Sequence, residues 1–479
     1  MVFSSVIFIF CFLPVFLLGY WASGWRTGVL LVGSAAFYVW GEGAYIFLLG
    51  GLIVANHLGA RWLATAEAPA RRRSILIGLV ILDLGVLGLF KYAGFATDTL
   101  GRLLPGLEIP RIELALPLGI SFFTFQLISY IADVHLRRVQ AERDLHRFAT
   151  YILMFPHLIA GPIVRFAHIR DELHADRRRS GRIGLGIQYF IVGLSQKVLL
   201  ANTVAPLADR AFGLEAAALD PATAWLGALA YMLQIYFDFC GYSNMAIGLA
   251  FMLGFTFPKN FDYPYAARSV TEFWRRWHIS LSSWFRDYVY IPLGGNRGGR
   301  FRTLRNLLIV FFLTGLWHGA AWTFVVWGLY HGAFLLLERM GLGRALDAAP
   351  PALARAYTLL AVLVGWVVFR ADTLPGAVAY LGRMVDLGGW AMPPVDTLAL
   401  LDAERAAALL LGAAFAFPIL PWALDRLRAP RLPASPGIEP RLDTQGVHVL
   451  ATPVLMLALL ASVALLAGSS LNPFLYFRF

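Results

Sequence analysis

Charge is scarce in this chain. Asp, Glu, Lys and Arg make up 14% of its 479 residues, where a soluble chain carries about 25%. That excludes an ordinary water-soluble fold. Cysteine is scarcer still, with only Cys11 and Cys240. Both lie in apolar runs, so they make neither a disulfide framework nor a zinc motif. Each reads as a buried, inert thiol. There is no fixed-period repeat. Also missing are GxGxxG after a strand, GxxxxGK followed by Ser or Thr, HExxH, and any His/Cys/Asp cluster at zinc spacing. The lack of GxSxG removes support for a nucleophile-elbow serine esterase. Residues 1–20 lack a basic n-region and a small-residue cleavage site, which predicts a retained first span instead of a signal peptide.

What is present is apolar sequence in long runs. Hydrophobic residues make up 59% of the chain, and mean hydropathy is +0.66. Runs near 20 residues mark an integral membrane protein. Candidate spans are 3–20, 27–41, 44–60, 74–92, 115–134, 183–203, 222–254, 307–337, 354–369, 405–422 and 449–468. The run 222–254 is too long for one upright span and implies tilt or an interfacial extension. Net charge is +11, and residues 255–306 supply +6 of it, from nine Lys/Arg against Asp262, Glu272 and Asp287. A basic patch set between hydrophobic spans argues against nucleic acid. Such loops mark the cytoplasmic side, and they suit anionic headgroups or a phosphorylated donor. Basic clusters at 61–73, 137–147, 165–182, 255–306 and 423–441 are therefore placed in the cytoplasm. Loops 93–112, 204–221 and 371–403 are placed outside. Low complexity is confined to the Ala/Arg/Pro-rich stretch 423–440.

This parity leaves residues 148–164, FATYILMFPHLIAGPIV, between two cytoplasmic clusters. A segment that starts and ends on one side does not span. Pro156, Gly161 and Pro162 interrupt a helix there. The expectation is a re-entrant segment buried by other protein. Residues 307–337 contain no Asp, Glu, Lys or Arg, are short for two crossings and long for one. A break is expected near Trp317-His318-Gly319.

His318 is the ionisable group inside that uncharged run, and such a group normally faces a cavity or a partner. It reads either as a packing histidine between helices or as a base that takes a proton from a hydroxyl. Gly315 and Gly319 permit close backbone approach. Trp317, Trp322 and Trp327 are candidates to line a pocket for an apolar thioester arm. His331, 13 residues on, does not share a face with His318 on a continuous helix and reads as structural. Residues 271–290, read as one helix, put Trp274, Trp277, His278, Leu281, Phe285 and Tyr288 on one face. Arg275, Arg276, Ser282, Ser283 and Arg286 fall on the other. That pattern alone describes an interfacial amphipathic helix, but anchoring does not require His278. Asp238 is a further intramembrane group, structural or pocket-orienting, with Tyr236, Tyr242, Ser243 and Asn244 as candidate partners. His157 is set aside from catalysis.

FWRRWHISLSSWFRDYVYIPLGGNR, followed by LTGLWHGAAWTFVVWGLYHG, resembles the membrane-bound O-acyltransferase (MBOAT) family. The likeness points to the bacterial branch that contains the alginate O-acetylation membrane protein. It extends to MVFSSVIFIFCFLPV, PLGISFFTFQLISYIADV, MFPHLIAGPIVR and YFDFCGYSNMAIGLAFMLGF, and so covers most of residues 1–340. The branch pattern GYSDMA is GYSNMA here, with Asn244. The resemblance implies an all-α multi-pass membrane protein. It would have about 10–12 transmembrane helices and re-entrant segments around a central tunnel. Residues 1–479 would form one domain with a motif-bearing core at 115–340. His318 is the implied essential histidine, activating an acceptor hydroxyl or relaying the acyl group covalently, and His278 the second active-site histidine, orienting the thioester or hydrogen-bonding the developing oxyanion. Substrate contacts are expected from Arg275, Arg276, Trp274, Trp317 and Asp238. No tightly bound cofactor or metal is expected. The donor is acetyl-CoA or an acyl-carrier thioester. The acyl group would pass from the cytoplasm, across the bacterial inner membrane, to a periplasmic SGNH-type acetyltransferase and an exopolysaccharide export complex. Competing readings are transfer to a teichoic acid or lipid alcohol, a proton-coupled transporter or flippase, and a noncatalytic scaffold. No paired broken helices in an internal repeat favour a transporter.

Overall fold

The computed structural model describes residues 2–104, 106, 109–175, 182–386, 388, 399–419 and 445–468. The basic cluster and low-complexity stretch expected at 423–441 lie outside the described residues. Every regular element among the described residues is a helix. In chain order these are α1 (Leu13–Ala22), α2 (Arg26–Glu42), α3 (Tyr45–Thr65), α4 (Pro69–Leu103), α5 (Ile120–His135), α6 (Leu145–Leu153), α7 (Phe155–Leu158), α8 (Phe166–His174), α9 (Ile183–Ser195) and α10 (Thr203–Gly213). They continue with α11 (Pro221–Leu253), α12 (Val270–Arg276), α13 (Ile279–Phe285), α14 (Gly299–His318), α15 (Trp322–Leu337), α16 (Gly343–Ala348), α17 (Pro351–Arg370) and α18 (Leu374–Met384). Helices Ala403–Phe415 and Gln445–Gly468 follow.

Among the described residues, four helical stretches are long and apolar enough to cross a membrane: α3, α4, the run Ile183–Gly213 and α17. Phe8–Ala22 and Thr452–Gly468 are shorter apolar helices. The outward faces of α3 and α4 present Phe47, Trp62, Ile81 and Leu89, all exposed. In water such a surface would be costly; against lipid it is the favoured one. The chain is a multi-pass membrane protein.

α11 is the internal pillar. Asp220 caps it, its carboxylate accepting from Thr223 N at 2.9 Å, and Pro221 opens the first turn, where its missing N–H costs nothing. Its 33 residues make about 50 Å at ~1.5 Å per residue, longer than the ~30 Å hydrocarbon layer. Nearly every residue from Ala230 to Leu253 is buried. The run expected at 222–254 is thus one unbroken helix, sheathed by protein. α9 packs on it backbone to backbone: a Cβ added at Gly241 would sit 2.6 Å from the Gly193 carbonyl oxygen. Small residues allow this approach.

Several expectations need correction. α4 runs to Leu103 and α10 to Gly213, so helix continues into the stretches read as loops 93–112 and 204–221. Neither Pro nor a charge run interrupts 93–103, and the helix outlasts its apolar stretch. Cys11 is exposed and only Cys240 is buried, because Cys11 lies on the outward face of the apolar helix Phe8–Ala22. The single helix expected over 271–290 is broken at Trp277-His278, for a reason given below.

The segment 148–164 is interrupted as expected. α6 stops at Leu153, Met154 leaves helical geometry, and Gly161 takes φ +104°. Residues 150–164 are buried throughout. Phe155 fits among Phe12, Phe16 and Phe37 at ring separations of 5.2–5.6 Å. His157 bonds to the Tyr151 carbonyl at 2.7 Å.

Candidate active site

The stretch 307–337 is two helices, α14 and α15, folded back on each other. α14 ends on His318 because Gly319 is fully extended, at φ −168° and ψ 157°. The two helices meet through glycine. A Cβ at Gly315 would collide with the Phe324 carbonyl, and one at Gly328 with the Phe311 carbonyl. His318 is buried in the resulting corner. Its ring has Trp317 and Trp327 at 4.9 Å and Phe369 of α17 at 5.4 Å, all edge to face. His331 lies beyond Trp327, at 5.2 Å. The reversal at Gly319 brings the two histidines to one tryptophan, which a continuous helix would not do.

The second histidine stands where α12 gives way to α13. Ser269 caps α12, accepting from Glu272 N at 3.0 Å. The Glu338 carboxylate accepts from Val270 N at 2.7 Å and Thr271 N at 2.8 Å, a favourable charge for a helix N-terminus. α12 stops at Arg276, and His278 takes φ +43° and ψ 56°, an uncommon left-handed conformation for a non-glycine residue. Asn260 holds it there. Its carbonyl accepts from Ile279 N at 2.9 Å, and its Oδ1 accepts from Ser280 N at 3.2 Å and Ser280 Oγ at 2.9 Å. The opening N–H groups of α13 therefore bond to Asn260 instead of to α12. A period-3.6 pattern holds no trace of this tertiary contact.

Asn260 Oδ1 also lies 3.2 Å from His278 Nδ1. An oxygen that takes the Ser280 N–H can only accept, so His278 Nδ1 is the donor. In the neutral ring, Nε2 is then a bare acceptor, and it has no partner among the described residues. Phe239 lies against this ring at 4.6 Å and Trp317 at 5.8 Å. Trp317 thus touches both histidines.

Of the expected substrate residues, Trp317 and Trp274 join this cluster. Trp274 is buried against Phe311, Trp327 and His331 at 5.2–5.5 Å. Trp322 does not join it, being largely exposed. Asp238 pairs with Lys197, which lies between α9 and α10, while its neighbour Phe239 faces His278. Lys197 was not among the partners read from the local sequence, since it is 41 residues away. Arg276 is tied to Glu272 at 2.7 Å, whereas Arg275 is exposed. Asn244 donates to Gln196 Oε1 at 2.8 Å, so the amide at this departure from the family pattern is satisfied. Among the described residues there is no group of three His, Cys, Asp or Glu able to hold a metal.

Sequence reasoning missed Asn260, Lys91 and Ser121. Lys91, inside α4, reaches the α14 corner. Its Nζ donates to the Trp317 carbonyl at 2.5 Å and to Ser121 Oγ at 3.2 Å. A lysine in an apolar span was the available signal. Two cavities of about 280 and 350 Å³ share Phe90, Lys91, Leu114 and Ala320; the larger is also lined by Gly319 and Ala321.

Chemically, this is a buried aromatic enclosure holding three imidazoles, of which His278 has a set tautomer. Such a site suits proton removal from a hydroxyl. The chain matches the membrane-bound O-acyltransferase family model over residues 9–369. It is 42% identical to a protein named probable alginate O-acetylase in Azotobacter vinelandii and 41% identical to one of the same name in Pseudomonas putida, each over the full length of both chains. It is 35% identical to a peptidoglycan O-acetyltransferase of Helicobacter pylori, covering 81% of this chain and 80% of that one. The chain belongs to the membrane-bound O-acyltransferase family and is an O-acyltransferase of the membrane.

Proposed function

We propose that this enzyme takes an acetyl group from acetyl-CoA or an acyl-carrier thioester and delivers it for O-acetylation of an exported polysaccharide of the alginate kind. The observation that carries the reading is that His278 and His318 both pack against Trp317 in one buried cluster. His318 takes the proton from a hydroxyl as its oxygen attacks the thioester carbonyl. The C–S bond then breaks and the thiol leaves with a proton. His278 orients the reactants through its bare Nε2. Donating to an oxyanion would require its imidazolium form, so orientation is the better supported of its two expected roles. Arg275, and Arg276 once freed from Glu272, meet the donor phosphates on the basic cytoplasmic face.

The full-length likeness to proteins named alginate O-acetylases supports this acceptor over a teichoic acid or lipid alcohol. We place the enzyme in the bacterial inner membrane, with about 10–12 transmembrane helices, a re-entrant 148–164 and a central tunnel. Its partners would be a periplasmic SGNH-type acetyltransferase and an export complex. No observation favours a flippase or a scaffold.

Mass analysis of surface polysaccharide from cells with and without the protein tests the reading. Acetyl esters should disappear without it and return with the wild type but not with His318→Ala. Unchanged acetylation in the deletion strain would overturn it.

A further inference from the structure

α14 poses an electrostatic problem at its end. A helix leaves its last carbonyls without intrahelical partners and carries partial negative charge there. Here those carbonyls belong to Leu316, Trp317 and His318, beside the reacting imidazole. Gly319 N reaches back only to Gly315, at 3.4 Å. In a membrane interior, water cannot be relied on to satisfy the rest.

Two consecutive residues of α4 do so. Tyr92 Oη donates to the Leu316 carbonyl at 2.7 Å. Lys91 Nζ donates to the Trp317 carbonyl at 2.5 Å and lies 3.5 Å from the His318 carbonyl. Its third contact, Ser121 Oγ at 3.2 Å, is on α5. An ammonium in an apolar span is costly, so a cheaper residue would serve if only space-filling were needed. Lys91 is half-buried, and both cavities reach it.

We propose that Lys91 is a positioning residue for acyl transfer: a cationic cap, supplied by a neighbouring helix, that holds the broken end of α14 and so aims His318. This rests on the assignment of His318 to the reaction. Without the cap, the Trp317 and His318 carbonyls seek partners by rewinding or tilting the last turn, and the imidazole moves with them. Misplacement of about 1 Å can cost about 100-fold in rate. The effect falls on turnover and leaves donor affinity alone, because the cap lies in α4 and the basic donor-facing residues lie in 255–306.

The test uses membranes containing the full-length protein and radiolabelled acetyl-CoA. Lys91→Met keeps the side-chain length and removes the charge. At matched protein level it should lower kcat about tenfold or more while donor KM stays within about twofold. Lys91→Arg, which can still donate to both carbonyls, should recover much of the loss. Tyr92→Phe and Ser121→Ala each remove one bond without removing the charge, and each should lower kcat by a few-fold. They decide the matter if Lys91→Met does not accumulate. Wild-type kcat in Lys91→Met, a loss expressed mainly in KM, or silence of both single-bond variants would overturn the proposal. His318→Ala in the same assay separates the two ideas. If it is dead while Lys91→Met is fully active, only the cap fails; if it is active, the catalytic assignment fails first.

Discussion

Asn260 Oδ1 accepts from His278 Nδ1 at 3.2 Å, and the Ser280 backbone N–H on the same oxygen fixes the direction of that bond. The Asn260 amide nitrogen in turn donates to Ser243 Oγ at 3.0 Å. One buried side chain therefore breaks a helix, holds a left-handed histidine and selects its tautomer. Asn260→Leu should lower turnover at least about tenfold and destabilise the fold by roughly 1–3 kcal/mol, from the unpaired groups left behind. Asn260→Asp, which keeps the accepting oxygen, should be milder in turnover. Turnover and detergent melting of the two variants check this; equal activities would mean the tautomer is not what matters.

His318→Ala should cost at least ~10²-fold in acyl transfer, the scale of a lost general base, while the protein still reaches the membrane. His278→Ala should be less severe, since orientation is a partial contribution. Near wild-type acylation by well-expressed His318→Ala would remove it from the chemistry.

Gly315→Ala and Gly328→Ala should each force α14 and α15 apart, because the added methyl meets a backbone carbonyl. Overpacking of this kind costs about 1–3 kcal/mol. Both variants should melt earlier in detergent and lose activity. A wild-type melting temperature would show that the hairpin absorbs a methyl without strain.

Arg275→Glu should raise the apparent donor KM, and the effect should shrink as salt rises. kcat should hold, because remote phosphate contacts are made equally in ground and transition states. Arg276→Glu should also disturb α12, as its guanidinium is bound to Glu272. Topology needs checking first, since these arginines add to the positive-inside signal. An unchanged donor KM across ionic strength would move the entrance to another basic loop, such as 165–182.

Cysteines introduced at Arg143 and Ala175, both exposed, should label from the cytoplasmic side in a chain lacking Cys11 and Cys240. Labelling from opposite faces would refute the re-entrant path of 148–164 and shift every later span by one crossing.

Composition and apolar run length were enough to establish a multi-pass helical membrane protein, since lipid admits backbone only as internally bonded structure. The break at His318 was legible because Gly319 sits in an uncharged run of awkward length. The interruption of 148–164 was legible through Pro156, Gly161 and Pro162. The outcome at His278 was not. Residues 271–290 carry an unbroken helical pattern, and the chain departs from it because Asn260, 18 residues earlier, captures the N–H groups of Ile279 and Ser280. Nor did local sequence reveal that Lys197 takes Asp238, that Lys91 reaches the α14 end from 226 residues away, or that His331 and His318 share Trp327. Periodicity reports which face of a helix is apolar. Which polar group meets which across the fold depends on how helices distant in sequence pack, and only the tertiary structure decided that.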